Sequence, residues 1–279
     1  MIIDVHTHIF SGDLCRDRSG GLGDGQFSSI YGSEKSKLID HRGLMAAMED
    51  AGVDYAVALG FSWEKEDLCA AQNEYLRTAM DQSGGAIIPF GSIPVRPGVD
   101  VGRWAREIRE MGLRGIGEVA WYRHGLGRWG LDYLRELLGA AGACSLPLCI
   151  HVNEPVGHPY NGKYEPNLRD LYAALSEFPD VDVILSHWGG GMIFYELMPE
   201  VSKALSRCRY DTAASPFIYT NDIYGIARQI TDPRKILFGS DYPLIPYRRY
   251  LEAIDCGISD EEIKADILGR NAARLLKIL

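Results

Sequence analysis

The 279-residue sequence predicts an α/β fold, a single (β/α)8 TIM barrel over residues 1–279, from three observations. Short apolar runs rich in β-branched residues recur eight times, each followed by a segment of helical period, which is the pattern of parallel βα units. No break in composition divides the chain, and eight units of about 35 residues come close to the usual barrel length of roughly 250. The third observation separates the barrel from an open doubly wound sheet. Such a sheet is expected to carry a glycine-rich phosphate turn after its first strand, and here that place holds His-Thr-His.

The eight runs are MIIDVHTH (1–8), VDYAVALG (53–60), AIIPFGSI (86–93), LRGIGEV (113–119), LPLCIHVN (146–153), VDVILSH (181–187), CRYDTAA (208–214) and KILFGSD (235–241). Helix candidates lie between them at 37–52, 66–82, 101–112, 131–142, 167–179 and 194–205. His41 is expected to start an exterior helix, and Gly52, Gly112 and Gly142 stand where helix C-caps are expected. Residues 11–33 are rich in Gly, Ser and Asp and show no helical period. A loop of this length is usually functional or disordered, so about 11–37 is expected to be a mobile flap over the barrel mouth.

At 46% hydrophobic and 24% charged residues the chain can bury a substantial core, which excludes disorder as the default. Its formal net charge of −9 argues against nucleic acid, whose binders carry a basic patch or stripe. A small-molecule substrate fits better. Cys15, Cys69, Cys144, Cys149, Cys208 and Cys256 are scattered without a C-x-x-C pair, so they read as reduced thiols. No apolar run approaches the ~20 residues that cross a bilayer, and the N-terminus lacks a basic region followed by a long apolar one. The expectation is a cytoplasmic protein with no membrane partner.

The chemistry begins at His6 and His8. Side chains alternate along a strand with a period of two, so this pair points to one side and can grip one ion. Glu118, His151, His187 and Asp241 each sit at the carboxyl end of a later predicted strand. The intervals from His8 are 110, 33, 36 and 54 residues, which assigns the five positions to strands one, four, five, six and eight. Strand C-termini converge on one face of a barrel, where active sites are built. Imidazoles and carboxylates are ligands for Zn²⁺ and similar ions, and a bound water falls to a pKa of about 7. His6, His8, His151 and Asp241 supply such a nitrogen and oxygen set, while His187 can serve as a general acid/base or hold a second ion. Taken singly, each has a plainer reading: His151 as a hydrogen-bonded core histidine, Asp241 as a turn cap before Pro243, Glu118 as a salt-bridged carboxylate.

With DVHTH at the first strand, PLCIHVN at the fifth, VILSHWGGG at the sixth, FGSDYP at the eighth and a closing NAARLLKI, the sequence resembles the amidohydrolase superfamily. The similar branch is amidohydrolase family 2, which includes amino-carboxymuconate-semialdehyde decarboxylase. The resemblance implies a divalent metal on His6, His8, His151 and Asp241, with His187 as catalytic acid/base, and it suggests a homodimer. Zinc is the first expectation, with manganese, iron or cobalt as alternatives, and one ion is expected rather than two. Glu118 departs from the decarboxylase pattern, because GIGEV is similar to the strand of TatD-like nucleases whose glutamate joins a two-metal site. In that case His151 and His187 would hold the second ion.

The leading expectation is a metal-dependent hydrolase of a small amide, ester or lactone through metal-activated water, with His187 and Asp241 moving protons. The alternative is non-oxidative decarboxylation of a small unsaturated or aromatic acid. A barrel that binds a metal or ligand without turnover is the reading from another class. Asn153, Trp188, Arg123 and His158 occupy loop starts above the mouth and are candidate substrate contacts, Arg123 through a substrate carboxylate. Asp211, near the end of strand seven, is a candidate partner for a metal ligand. The glycines of HWGGG serve either a sharp backbone turn or the approach of N–H groups to an anion.

Overall fold

The computed structural model describes residues 1–278. All eight predicted strands form, as β1 (Ile3–Thr7), β2 (Tyr55–Leu59), β3 (Ile87–Gly91), β4 (Gly115–Val119), β5 (Leu148–Ile150), β6 (Val183–Leu185), β7 (Cys208–Asp211) and β8 (Ile236–Leu237). They pair in sequence order, every pair parallel. The seam between β8 and β1 closes at the mouth, where Val5 N–H donates to Phe238 O at 2.9 Å, Asp241 N–H donates to His6 O at 2.8 Å, and Thr7 bridges Tyr242. Strand alternation explains the two layers of core. Ile3, Val5, Val57, Leu59, Ile88, Phe90, Cys149, Ile184 and Leu237 fill the barrel, while Ala56, Ala58, Ile87, Leu148, Ile150, Val183 and Leu185 meet the helices.

The exterior helices largely follow the predicted segments, with Glu66–Gln82 matching at both ends and His41 opening the helix His41–Ala51. Gly52 takes the left-handed conformation of a C-cap (φ 69°), as expected. Gly142 does not. The helix Arg128–Cys144 runs through it and ends at Ser145, and the missing side chain instead admits Val181, whose Cγ2 lies 3.1 Å from where a Cβ would be. The candidate at 194–205 is likewise divided. A 3-10 segment, His187–Leu197, precedes a short helix, Pro199–Ala204, because Pro199 has no N–H and is favoured in a first helical turn. Glu196, in the first of these, is buried beside Lys235 and accepts from the Tyr210 and Thr231 hydroxyls at 2.7 and 2.6 Å.

The segment expected as an irregular flap is instead three short helices, Gly12–Arg16, Ser19–Leu22 and Gly25–Tyr31. Helices of four to seven residues are too short to reveal a period, although Asp24 is a legible N-cap. Asp24 accepts from Gln26 and Phe27 N–H with one oxygen and from Glu64 and Lys65 N–H with the other, which pins the segment to the loop after β2. Phe27 is fully buried and stacks on Trp63 with ring centroids 4.8 Å apart. Phe27→Ala is expected to cost about 3–5 kcal/mol in urea unfolding and to open residues 11–37 to limited proteolysis. All six cysteines are free, and four of them are buried. Among the described residues no helix is long and apolar enough to cross a membrane.

Candidate metal centre

The five histidine and carboxylate positions expected to converge do converge, together with Glu118, at the carboxyl ends of the strands. Two local irregularities aim them. The register of β1 on β2 shifts between Asp4 and Thr7, and that of β4 on β5 shifts between Ile116 and Val119, so His6 and Glu118 lie within breaks in the ladder. His6 Nε2 lies 3.1 Å from His8 Nε2, and Asp241 Oδ1 is 3.8 and 3.4 Å from the same two nitrogens. On the other side, His151 Nδ1 is 3.0 Å from Glu118 Oε1 and 3.2 Å from His187 Nε2. Glu118 stands between the two groups. Its Oε1 faces His151, His187 and His6, and its Oε2 lies 3.7 Å from His8 Nε2.

Asp211 Oδ2 accepts from His6 Nδ1 at 2.9 Å, which fixes the tautomer that leaves Nε2 free to coordinate. The other Asp211 oxygen accepts from the His187 N–H at 2.8 Å and the Ala213 N–H at 3.1 Å. His187 Nδ1 in turn lies 3.1 Å from Ala213 O. Each of these rings is oriented by a backbone or carboxylate partner.

Charge in the cluster is dominated by the carboxylates. Burial alone would push His6 down, but Glu118, Asp211 and Asp241 outweigh it and raise the imidazole to about 10. His187 is buried too, yet its bond to Glu118 raises it to about 9. For Asp241 burial is opposed by His8 and His6, and its carboxyl falls to about 2. Glu118, pressed by burial but surrounded by His151 and His6, is held well below the usual carboxylate range. Such a set favours cations. His8 Nδ1 and His151 Nε2 are buried without a partner, so protein groups alone do not satisfy the cluster. Four imidazoles and two carboxylates whose donor atoms face one another at 3.0–3.8 Å fit divalent metal, since ligands on one ion stand about 3.3 Å apart at bonds of 2.0–2.1 Å. Three donor triads, His6–His8–Asp241, His6–Glu118–His187 and His6–Cys149–Asp211, meet the spacing for an ion.

The expected substrate contacts are placed differently. Trp188 and Asn153 are fully buried. Trp188 donates to Ser215 Oγ and packs on Tyr224, and Asn153 closes the loop after β5 through both backbone polar groups of Tyr164. Arg123 pairs with Glu64 at 3.0 Å. His158 is exposed. The glycines of HWGGG serve the turn: His187, Trp188 and Gly189 to Gly191 are all left-handed, and a side chain on Gly190 would strike Asn153 O. Two tyrosines had no sequence signal beyond position or none at all. Tyr122 donates to Glu118 Oε2 at 3.4 Å, and the half-buried Tyr31, in the flap helix, is raised by burial and then by Asp241 and Glu118.

The sequence model of a family described as amidohydrolase matches residues 3–278. No curated protein matches the chain. Among solved structures, 5-carboxyvanillate decarboxylase from Sphingomonas paucimobilis aligns with TM-score 0.72 and 16% identity over 99% of this chain and 98% of that one. A 2,6-dihydroxybenzoate decarboxylase from Rhizobium aligns with TM-score 0.73 and 15% identity over 99% and 98%. The 5-carboxyvanillate decarboxylase of Novosphingobium aromaticivorans, complexed with manganese and 4-hydroxy-3-methoxy-5-nitrobenzoic acid, aligns with TM-score 0.74 and 17% identity over 99% and 96%. These neighbours carry the activity that the sequence offered as its alternative, and the third of them holds manganese rather than zinc. At such identities the likeness is one of fold. The match over nearly every residue, joined to eight parallel strands, makes this chain a member of the amidohydrolase family.

Proposed function

We propose that the chain is a metal-dependent hydrolase of small carbonyl compounds, working at the carboxyl end of the barrel with two divalent ions. The observation that carries this reading is the position of Glu118, whose two oxygens face different histidine groups. His6, His8 and Asp241 form one donor group and His151 with His187 the other, and Glu118 faces both. A single ion on His6, His8, His151 and Asp241, expected from the sequence, would leave His187 as an acid/base and Glu118 without a ligand role. Bound divalent ions would polarise a substrate carbonyl and make water nucleophilic at neutral pH.

The chain's own residues do the rest. Asp211 holds His6 in the coordinating tautomer, and Tyr122 orients Glu118. Asp241 is the most open of the donors, with its side chain 16% exposed, so its carboxylate is the group that takes the proton from attacking water. Tyr164 is buried and Tyr31 and Tyr122 half-buried at this end, and burial with the nearby carboxylates raises all three phenols. Asp211→Asn is expected to weaken metal affinity about 10–100-fold, read by competition with a chelator.

Decarboxylation is the second reading, favoured by the solved neighbours named above. Incubating protein reconstituted with manganese or zinc with esters, lactones, amides and aromatic acids separates the two. Acid release from neutral carbonyl substrates supports hydrolysis, and CO2 release from an aromatic acid overturns it. Full metal occupancy with no turnover on any of these would favour a binding protein.

A further inference from the structure

We propose that Glu154 is a specificity residue of this mouth and that it recognises an ammonium group on the substrate, an inference that rests on the mouth being the reaction site. Glu154 lies in the loop directly after β5, three residues beyond His151. It is 8% exposed, and its Oε1 is buried with no hydrogen-bond partner. A buried carboxylate oxygen left unpaired costs free energy unless a donor arrives from outside the protein. The other carboxylates here already have donors: Glu118 and Asp241 have the histidines, and Asp211 has His6 and two backbone N–H groups.

The surroundings of Glu154 are phenolic. Burial, with Glu154 next, pushes the Tyr219 phenol up to about 12. Tyr160, six residues further along the same loop and 47% exposed, is raised by burial and then by Glu154. The nearby cations are engaged elsewhere. Lys163 donates to Val156 O and His158 O and lies over the Tyr160 ring, and Arg249 lies over Phe217. Among the described residues no Arg, Lys or His stands within ion-pairing distance of Glu154. A buried carboxylate oxygen that no protein donor reaches takes an ammonium by a charge-assisted hydrogen bond, and it repels a second carboxylate. The substrate class is therefore an amine-bearing carbonyl compound.

The test is an NMR titration of the metal-loaded full chain with benzylammonium, benzoate and benzyl alcohol. Wild type is expected to bind benzylammonium on the order of tenfold more tightly than benzoate, and Glu154→Gln to lose roughly that factor for benzylammonium alone, with metal content unchanged. The ranking in wild type needs no variant to fold. A preference for benzoate, absence of saturable benzylammonium binding, or an unchanged affinity in Glu154→Gln would overturn the inference. Turnover is read separately, so CO2 release with ammonium preference would sink hydrolysis and leave Glu154 standing, while hydrolysis with benzoate preference would do the reverse.

Discussion

Glu118→Ala is expected to leave the purified protein with about one divalent ion per chain where wild type holds about two, and to cut turnover by at least about a thousandfold. The carboxylate faces ring nitrogens of both histidine sets, so its loss removes a bridge and also frees His151 and His187 from their common partner. His187→Ala is expected to bring the count to about one as well, since it strips the second set of a donor. His6→Ala and Asp241→Ala should lose the first ion. Elemental analysis of these variants, purified without chelators or histidine tags, reads the outcome directly. About one ion in wild type, Glu118→Ala and His187→Ala alike would make His187 an acid/base, remove the bridge and return decarboxylation to first place.

The largest loss of stability is expected at Glu196→Ala, about 3–5 kcal/mol, because it leaves the Lys235 ammonium buried without its partner. Lys235 is 7% exposed, and Glu196 also receives Tyr210, Thr231 and Ser202, so one truncation orphans several donors. Urea unfolding measures the cost. The double variant Glu196→Met with Lys235→Met should recover most of it, because two apolar side chains replace a pair that had to be desolvated. Equal instability in the double variant would mean that packing of the 3-10 segment, not charge, sets the effect.

What was legible in the sequence follows from what each feature depends on. Strands buried on both faces read as continuous apolar runs, so all eight were visible. Each ligand position adjoining a strand end was therefore visible too, in order. The direction of Glu118 was not, because it depends on a register shift in β4 that no residue type announces. The flap helices were hidden by their brevity, and with them Tyr31. Arg123 illustrates a different limit: its charge suggested a substrate, but Glu64, brought in by the loop after β2, is nearer. Glu154 passed unremarked because an unpaired oxygen is a property of surroundings and not of glutamate.

The seam between β8 and β1 has a consequence for when this protein can acquire metal. His6 and Asp241 are joined there by a backbone hydrogen bond between residues 235 positions apart in the chain. During synthesis His6 and His8 emerge more than two hundred residues before their carboxylate partner Asp241, so the first ion can be fully held only after β8 has been made and paired with β1. Ion uptake would thus act as a clock for completion, and tight metal retention would mark molecules whose barrel has closed.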